Sequence, residues 1–383
     1  MKKILGISGI RSDYDLLSSL YKKLANDKDI NFKLLVGGAQ LSSSYGMGVE
    51  QIQKDGIGIL LKIESLIDSD SDRSRLKSAS IFLQNSIDIV AQFAPDLIIY
   101  SGDREEVMIG ALLGGYLEIP TIHFYAGDHA HDGHVDNPIR HAASKLSTAM
   151  FVTLPEHKER LIKMGEPEYR IKIIGSIALD RLNNDNIYSK EEIKSFFKIK
   201  SGFNKFALVI YHPLAEEKAS SHLYFENILK TLEKSGINAF VSYPNTDPSN
   251  KKIIEVIKKY AHHDNFYFYK NLERRIFLGI LKNCILMVGN SSSGILESAS
   301  IPVPAVNVGL RQKGRIINDN VIFCNTDSKS IDHAIKKALS LEFMSSISKI
   351  ENVYGDGKST LRAYELIKKM DLKGMLYKKE DVL

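Results

Sequence analysis

The chain has few of the features that mark secreted, membrane-spanning or nucleic-acid-binding proteins. Only two of its 383 residues are cysteines, Cys284 and Cys324, and they stand in apolar runs without ligand spacing, which argues against a disulfide framework or a zinc site. No segment approaches the about 20 apolar residues that cross a bilayer. The 51 basic and 46 acidic residues leave a net charge of +5 that is spread along the chain, without a nucleic-acid-binding stripe. We therefore expect a cytoplasmic protein with no membrane or nucleic-acid partner.

Short apolar runs alternate with segments of helical period along almost the whole chain. This alternation is typical of βαβ units and a parallel sheet, and the length exceeds that of one compact core. The polar stretch 183–189 interrupts the alternation before it starts again. We predict an α/β protein with two Rossmann-like, doubly wound domains at 1–182 and 190–359, whose strand ends face a shared cleft. A terminal helix at 360–375 should pack back across the domains.

The two series of apolar runs give the candidate strands. In the first series they are 3–8, 32–36, 58–63, 97–100, 121–125, 149–153 and 171–174. In the second series they are 206–211, 239–243, 266–269, 285–288, 304–308 and 321–324. The tail from Tyr377 to Leu383 is expected to be frayed.

A serine- and glycine-rich motif favours the binding of a phosphate group. The segment Gly289–Glu297 follows the apolar run Ile285–Val288 and should open a helix. The N-terminus of a helix offers unpaired N–H donors and a partial positive charge, serine hydroxyls add donors, and glycines let an anion approach the backbone. Glu297 could then accept ribose hydroxyls. A serine cap on an ordinary helix is the alternative.

Further polar clusters follow predicted strands, where parallel α/β sheets place their ligands. They are Gly9–Tyr14, Ser101–Arg104, Asp128–His141, Tyr211–Pro213 and Tyr243–Asp247. Each cluster also has a structural interpretation. Asp13 and Asp136 could be helix caps, and Arg104 could form an ion pair with a carboxylate in the first turn of a helix. His141 could be a buried, hydrogen-bonded imidazole.

The histidine-rich segment between the fifth strand and the next helix raises a metal site as an alternative. Six side chains there could surround a divalent ion: His129, His131, His134, Asp128, Asp132 and Asp136. The spacing matches no common zinc motif and lacks a histidine pair four residues apart on a helix. We therefore predict neither a metal nor another cofactor.

Taken together, the motifs resemble those of the UDP-N-acetylglucosamine 2-epimerases, and most closely the hydrolysing branch that makes N-acetylmannosamine for sialic acid or related sugars for legionaminic acid. The resemblance covers nearly the whole chain and implies the GT-B arrangement of two Rossmann-like domains, a bound nucleotide diphosphate sugar and a homodimer or homotetramer. The matching motifs are Arg11–Tyr14, Gly102–Arg104, Ile139–Ala142, Ser144–Leu146, His212–Pro213, Pro244–Asp247, Gly289–Gly294, Arg311–Arg315 and Tyr354–Gly357.

The resemblance also implies roles for individual residues. Asp103 would be an electrostatic stabiliser or base and Asp136 an acid/base partner, with Asp128, His212 and Tyr125 as further catalytic candidates. The implied contacts to the UDP-sugar are Arg11, Asp15, Arg104, His212, Asn245, Ser291, Ser292, Ser293, Glu297 and Arg311.

One position departs from the family pattern. The family has a glutamate in a His-Ile-Glu-Gly-Gly segment after strand five, and Tyr125 stands in its place here. A phenol, with a reference pKa of about 10, is a poor base at neutral pH. Asp128, Asp132 or His131 could supply the missing function, Tyr125 could recognise a different sugar, or the chemistry could have drifted. We favour a changed sugar, because the motifs for the nucleotide are intact.

The family reaction eliminates the nucleoside diphosphate across C1 and C2 of the sugar, and the hydrolysing branch then adds water with inversion at C2. The resemblance therefore implies a hydrolysing 2-epimerase that converts UDP-N-acetylglucosamine, or a related UDP-2-acetamido sugar, into a free 2-epimerised sugar such as N-acetylmannosamine. Three alternatives stay open: a non-hydrolysing 2-epimerase, a GT-B glycosyltransferase, and a nucleotide-sugar sensor without catalysis, which Tyr125 alone suggests.

Overall fold

The chain folds into two compact units. A computed structural model describes residues 1–69, 72–129, 136–183, 187–199, 203–213, 219–244, 250–270 and 272–380. The first unit covers 1–129, 136–181 and 354–380 of these residues, and the second lies within 182–353. Both ends of the chain therefore contribute to the first unit.

The first unit is built on a sheet of seven parallel strands in the order β3-β2-β1-β4-β5-β6-β7. The order reverses beside β1, and this switch point is where α/β sheets bind ligands, at the carboxyl ends of the strands. The strands are β1 Lys2–Ser8, β2 Ile30–Gly37, β3 Ile59–Ile63, β4 Leu97–Ser101, β5 Thr121–Phe124, β6 Ala149–Val152 and β7 Ile171–Ile173.

Helices cover both faces of this sheet, as buried parallel strands require. Alternate residues of β1 divide between the two faces, with Ile4 in one apolar core and Leu5 in the other. The helices are α1 Arg11–Ala25, α2 Val49–Lys54, α3 Asp72–Phe93, α4 Glu105–Tyr116, α5 Asp136–Leu146 and α6 Pro155–Lys163, and 3-10 segments lie at Gly38–Leu41 and Ile177–Asn183.

The second unit repeats the plan with six parallel strands in the order β10-β9-β8-β11-β12-β13. Its strands are β8 Phe206–Ile210, β9 Asn238–Ser242, β10 Phe266–Tyr269, β11 Leu286–Gly289, β12 Ala305–Val308 and β13 Val321–Cys324. Its helices are α7 Lys190–Phe196, α8 Ser221–Lys234, α9 Asn250–Tyr260, α10 Arg274–Asn283, α11 Ser293–Leu296, α12 Ser328–Ala338 and α13 Leu341–Ile347. The predicted α/β class with two Rossmann-like sheets is confirmed.

The C-terminal helix α14, Ser359–Lys369, packs into the first unit. Ala363 and Ile367 lie in the apolar core beside α1. At the start of the helix, the Asp180 carboxylate accepts hydrogen bonds from the N–H groups of Ser359 and Thr360, at 3.1 and 2.5 Å. The first N–H groups of a helix have no partner within the helix. Asp180, from a distant part of the chain, therefore caps the N-terminus of α14.

The expectation of a frayed tail is wrong for residues 377–380. Arg170, only 1% exposed, donates to the carbonyl oxygens of Met375 at 2.5 Å and Tyr377 at 3.1 Å. Lys378 pairs with the buried Glu166 at 2.5 Å. The tail is ordered because it satisfies buried charges of the first unit. Nothing in the described part of the chain is a helix long and apolar enough to span a membrane.

Candidate functional site

An ion pair joins two predicted site segments at the C-terminal edge of the first sheet. Arg140 of α5 contacts the carboxylate of Asp103, which follows β4. Its other terminal nitrogen lies 4.0 Å from Asp128 Oδ2, and His157 Nε2 lies 3.4 Å from Asp128 Oδ1. Arg140 is only 4% exposed. Two carboxylates therefore share one buried guanidinium, where charge interactions are stronger than in water.

His123 positions the loop that carries Asp103. Its Nε2–H donates to the Gly102 carbonyl oxygen at 2.9 Å, and its Nδ1 lies 2.9 Å from Ser144 Oγ. Burial lowers the pKa of His123 to about 3, so the ring is neutral at physiological pH. Gly102 has a φ of +92°, which a side chain would strain. The sequence alone did not predict this role of His123.

Two more histidines stack beside this cluster. The rings of His129 and His141 are 5.6 Å apart and nearly parallel, with His129 Nδ1 3.3 Å from His141 Nε2. Burial lowers the pKa of His141 to about 4. His141 is half-buried, and its Nδ1 has no hydrogen-bond partner among the described residues, so it is not the fully hydrogen-bonded, buried imidazole of the structural interpretation.

Part of the proposed metal set cannot be compared with the structure. The alternatives His131, Asp132 and His134 lie outside the described residues. Among the described residues, no three side chains of the metal-binding types come together.

Asp136 and Arg104 stand at helix starts. Asp136 is the first residue of α5 and lies 3.7 Å from Arg75 of α3, which also pairs with Glu105. Arg104 immediately precedes α4, whose first turn carries Glu105 and Glu106. Asp136 therefore lies in the first helical turn, where a carboxylate is favourable. Among the described residues Arg104 forms no ion pair with either glutamate, and Glu105 pairs with Arg75 instead.

The segment after β1 carries Arg11, Asp13 and Asp15. Arg11 opens α1, and its Nε lies 3.9 Å from Asp15 Oδ2. Arg181 approaches the other oxygen of Asp15 at 3.2 Å. Asp13 is buried and accepts hydrogen bonds from the N–H groups of Gly9 and Ile10, so it fixes the turn into α1, as the cap interpretation predicts.

Tyr125 makes structural contacts. Its hydroxyl accepts the Ala178 N–H at 3.0 Å and lies 3.3 Å from the Leu16 carbonyl oxygen and 3.4 Å from Ser176 Oγ. These bonds tie the end of β5 to α1 and to the 3-10 segment near Ala178. Of the three candidates for the missing glutamate, Asp128 alone lies within the described residues, and its neighbour Arg140 also contacts Asp103.

Asn290 organises the C-terminal edge of the second sheet. Its side chain accepts the His212 N–H and donates to the His212 carbonyl oxygen, both at 2.8 Å. Its own carbonyl oxygen accepts bonds from Arg311 at 2.9 Å and Gln312 at 2.8 Å. Asn290 is 1% exposed. This one residue therefore joins the ends of β8 and β11 to the segment of Arg311, a role that sequence reasoning missed.

The serine motif follows β11 and opens a helix, as predicted, and this helix is short. Gly289 adopts a φ of +139°, and a Cβ there would collide with the Ile210 carbonyl oxygen. Ser291 and Ser292 follow half-buried, and α11 contains only four residues, from Ser293. A single turn adds little dipole, so anion binding here would depend on the hydroxyl and backbone N–H donors.

Two further predicted contacts lie in the second unit, Glu297 buried and His212 half-buried. Glu297, 5% exposed, forms an ion pair with Arg274 at the start of α10. Burial, and then the charge of Arg311, lower the pKa of His212 to about 3, so its imidazole is neutral. Asn245 lies outside the described residues.

Comparison with known proteins decides the family. The family model for UDP-N-acetylglucosamine 2-epimerase matches residues 22–368. The chain belongs to this family. The predicted resemblance is thereby confirmed, and the protein is an enzyme of the epimerase type.

Curated relatives cover nearly the same length as this epimerase. The UDP-N,N'-diacetylbacillosamine 2-epimerase (hydrolyzing) of Legionella pneumophila is 33% identical over 382 residues, 99% of both chains. The GDP/UDP-N,N'-diacetylbacillosamine 2-epimerase (hydrolyzing) of Campylobacter jejuni is 31% identical over 345 residues, 89% of this chain and 88% of the relative.

A solved structure agrees in fold. The UDP-GlcNAc 2-epimerase of Neisseria meningitidis, bound to UDP-GlcNAc, superposes with a TM-score of 0.81 over 96% of this chain and 100% of that chain, at 17% identity. At this low identity, the superposition shows that the two proteins share a fold.

Proposed function

We propose that this epimerase is a hydrolysing enzyme that acts on a UDP-linked 2-acetamido sugar. The observation that carries the proposal is the pair of carboxylates, Asp103 and Asp128, which share the buried Arg140 at the carboxyl edge of the first sheet. Paired carboxylates with one fixed cation can stabilise a cationic sugar and move a proton. The full-length similarity to two hydrolysing 2-epimerases supports the same reaction.

The chemistry begins with the loss of the nucleoside diphosphate. The C2 proton of the sugar is not acidic, so the C1–O bond breaks first and its electron pair leaves with the diphosphate. A carboxylate then takes the C2 proton, and the electrons of the C–H bond form the C1=C2 bond of a glycal. Water adds its hydroxyl to C1, while a proton returns to the opposite face of C2. The products are the diphosphate and a free sugar inverted at C2.

Asp103 and Asp128 are proposed to supply the two carboxylates that these reaction steps need in the first unit. One would stabilise the positive charge at C1 and the other would accept the C2 proton, a contribution of about 10²–10⁴-fold for general acid–base catalysis. Arg140 is hydrogen-bonded to Asp103 and lies 4.0 Å from Asp128, so it orients the first carboxylate and offsets the charge of both. Asp136 is proposed as the acid that returns the proton, since it starts the helix that carries Arg140.

The second unit supplies donors for the leaving diphosphate. Arg311, Ser291 and Ser292 are proposed as its ligands, and preorganised donors of this kind stabilise charge as it develops on a leaving group. Asn290 holds Arg311 at the end of β11. His212, neutral and fixed by Asn290, is proposed as a further contact, with Glu297 for the ribose.

The sugar is proposed to carry acetamido groups at C2 and C4. Both hydrolysing relatives described above are named for UDP-N,N'-diacetylbacillosamine, and one of them also for the GDP form. From the family resemblance, the enzyme is proposed to form a homodimer or homotetramer. A cytoplasmic location is proposed because both cysteines are free. Light scattering of the purified protein tests the assembly.

Product analysis by NMR, without added metal, tests the function. The protein would be mixed separately with UDP-N,N'-diacetylbacillosamine, its GDP form and UDP-N-acetylglucosamine. We expect release of the nucleoside diphosphate together with a free, 2-epimerised sugar, fastest from the diacetamido substrate. An intact, epimerised UDP-sugar would establish the non-hydrolysing reaction instead, and the absence of turnover with all three would refute the proposal.

A further inference from the structure

Two carboxyl groups flank the turn between β1 and α1. Asp13 Oδ2 accepts the Gly9 N–H at 2.8 Å and the Ile10 N–H at 3.1 Å. Glu106, from the first turn of α4, packs on the other side of the turn so closely that a Cβ on Gly9 would collide with its Oε1 and Cδ. The turn is therefore held between the two acids, and Arg11 begins α1 directly after it.

The remaining partners of Asp13 are uncharged. Its Oδ1 contacts Ser8 Oγ, which also accepts a bond from Gln40 Nε2 at 2.8 Å. Ser101 Oγ of β4 lies 3.4 Å from the Asp13 carbonyl oxygen. The titratable groups that face Asp13 are Glu106 from α4 and Tyr21 from α1 itself. Asp13 is buried, and none of these partners carries a positive charge. A negative charge on its carboxylate would therefore not be balanced by these partners.

The surroundings of Glu106 reinforce this imbalance. Its Oε2 is buried and has no hydrogen-bond partner among the described residues. Its neighbour Glu105 is engaged with Arg75 of α3. Burial of Asp13, and then the charge of Glu106, raise the pKa of Asp13 to about 7. A proton on Asp13 Oδ1 would keep both backbone bonds to Oδ2 and could be donated to Ser8 Oγ.

We propose that Asp13 and Glu106 form a carboxyl pair that positions the Gly9–Arg11 turn, and that the enzyme binds its substrate tightly only while the two groups are not both ionised. Two ionised carboxylates around one glycine repel each other and push the turn apart. They also add a negative charge beside the segment that presents Arg11 to an anionic diphosphate. The inference rests on the proposed function for its substrate, and Asp13 and Glu106 act as positioning residues.

The pH profile of kcat/KM for the UDP-sugar tests the pair, because this ratio reports ionisations of the free enzyme. We expect kcat/KM to fall above about pH 7, approaching tenfold per pH unit for a single ionisation. Asp13→Asn and Glu106→Gln each leave one ionisable carboxyl, and both variants should keep their kcat/KM up to about pH 8.5. Asp88→Asn, on an exposed position of α3, is the control and should retain the wild-type fall.

The proposal is overturned if both variants fold, as judged by circular dichroism, and still show the wild-type alkaline fall. A readout without substrate separates this result from a failure of the proposed function. The infrared band of a protonated carboxyl should disappear from the wild type as the pH rises through about 7, and it should be absent at this pH in Asp13→Asn. If the protein turns over no UDP-sugar but this band behaves as expected, the pair stands and the proposed function falls. If the wild type shows no such band below pH 7, the pair is refuted.

Discussion

Arg140 and Asp103 form an ion pair between helix α5 and the end of strand β4, and the same guanidinium lies 4.0 Å from Asp128. The arginine belongs to a motif that sequence reasoning used only for recognition of the family. Its position gives the two carboxylates a common, buried counter-ion. The reaction proposed here depends on this arrangement, so the first two predictions examine which side chains around it take part in the chemistry.

Replacing either carboxylate should remove most of the activity. We expect Asp103→Asn and Asp128→Asn to lower kcat by about 10²–10⁴-fold, because each amide can still contact Arg140 but cannot take a proton. Steady-state release of UDP measures the effect, with Asp88→Asn as a matched control for the loss of one carboxylate. Wild-type turnover in Asp128→Asn would exclude this residue as the substitute for the family glutamate.

Tyr125 should matter for stability and little for catalysis. Tyr125→Phe removes the hydroxyl that accepts the Ala178 N–H and donates to the Leu16 carbonyl oxygen. The Ala178 N–H then loses its partner, which should lower the free energy of unfolding by about 1–3 kcal/mol. We expect kcat to stay within about twofold of wild type, as hydrogen bonds outside the reacting groups allow. Urea unfolding and UDP release measure the two effects. Tyr116→Phe, at an exposed position, is the control and should change neither; a kcat loss of a hundredfold in Tyr125→Phe would return the phenol to the mechanism.

Asn290 should couple nucleotide binding to stability. Asn290→Ala removes both side-chain hydrogen bonds to the half-buried His212 backbone, so we expect the free energy of unfolding to fall by about 2–4 kcal/mol. We also expect at least about tenfold weaker UDP binding in calorimetry, since His212 loses the side-chain bonds that fix its backbone, while Arg311 keeps its bond to the main-chain carbonyl of residue 290. Asn85→Ala, which removes a local bond on the exposed side of α3, serves as the comparison. Unchanged UDP affinity in a folded Asn290→Ala protein would contradict the role.

The C-terminal tail should stabilise the first unit through Arg170. Arg170→Met removes bonds to the carbonyl oxygens of Thr148, Met375 and Tyr377 and should lower the free energy of unfolding by about 2–4 kcal/mol. Limited proteolysis should then cut the tail faster than in the wild type. Lys379→Met changes an exposed charge in the same tail and should behave as wild type. Equal proteolysis of the Arg170 variant and the wild type would show that the tail is held in another way.

Acid should destabilise the protein through its buried neutral histidines. The pKa of His123 is lowered to about 3, so the unfolded chain binds a proton there at a higher pH than the folded chain does. The stabilisation is present above the unfolded pKa of about 6.5 and is lost as the pH falls towards 3, by up to about 1.4 kcal/mol per pH unit for each such group. His123→Gln should show a shallower acid loss in urea unfolding at several pH values. His262→Gln, at an exposed position, should keep the wild-type slope.

The sequence determined the fold class because the pattern that decides it is local. Apolar runs that alternate with helical segments specify buried parallel strands with covering helices. The thirteen strands of the described residues begin and end within two residues of the runs predicted from the sequence. Motifs such as Gly289–Gly294 could be recognised for the same reason, since their residue types and order carry the information. The length of α11 was not predicted: the helix ends after four residues, and a 3-10 segment, Ser298–Ser300, follows it.

Only the tertiary structure decided which side chains meet. Asp103 and Arg140 are far apart in the chain, as are Asn290 and His212, and their contacts arise because parallel strands end at one edge of a sheet. Burial, which no local pattern reports, made His123 neutral and brought Tyr125 against the backbone. The sequence was enough to predict which chemical groups this epimerase uses. Their partners depend on the fold, because ion pairs and hydrogen bonds require short distances in space and are strengthened where water is excluded.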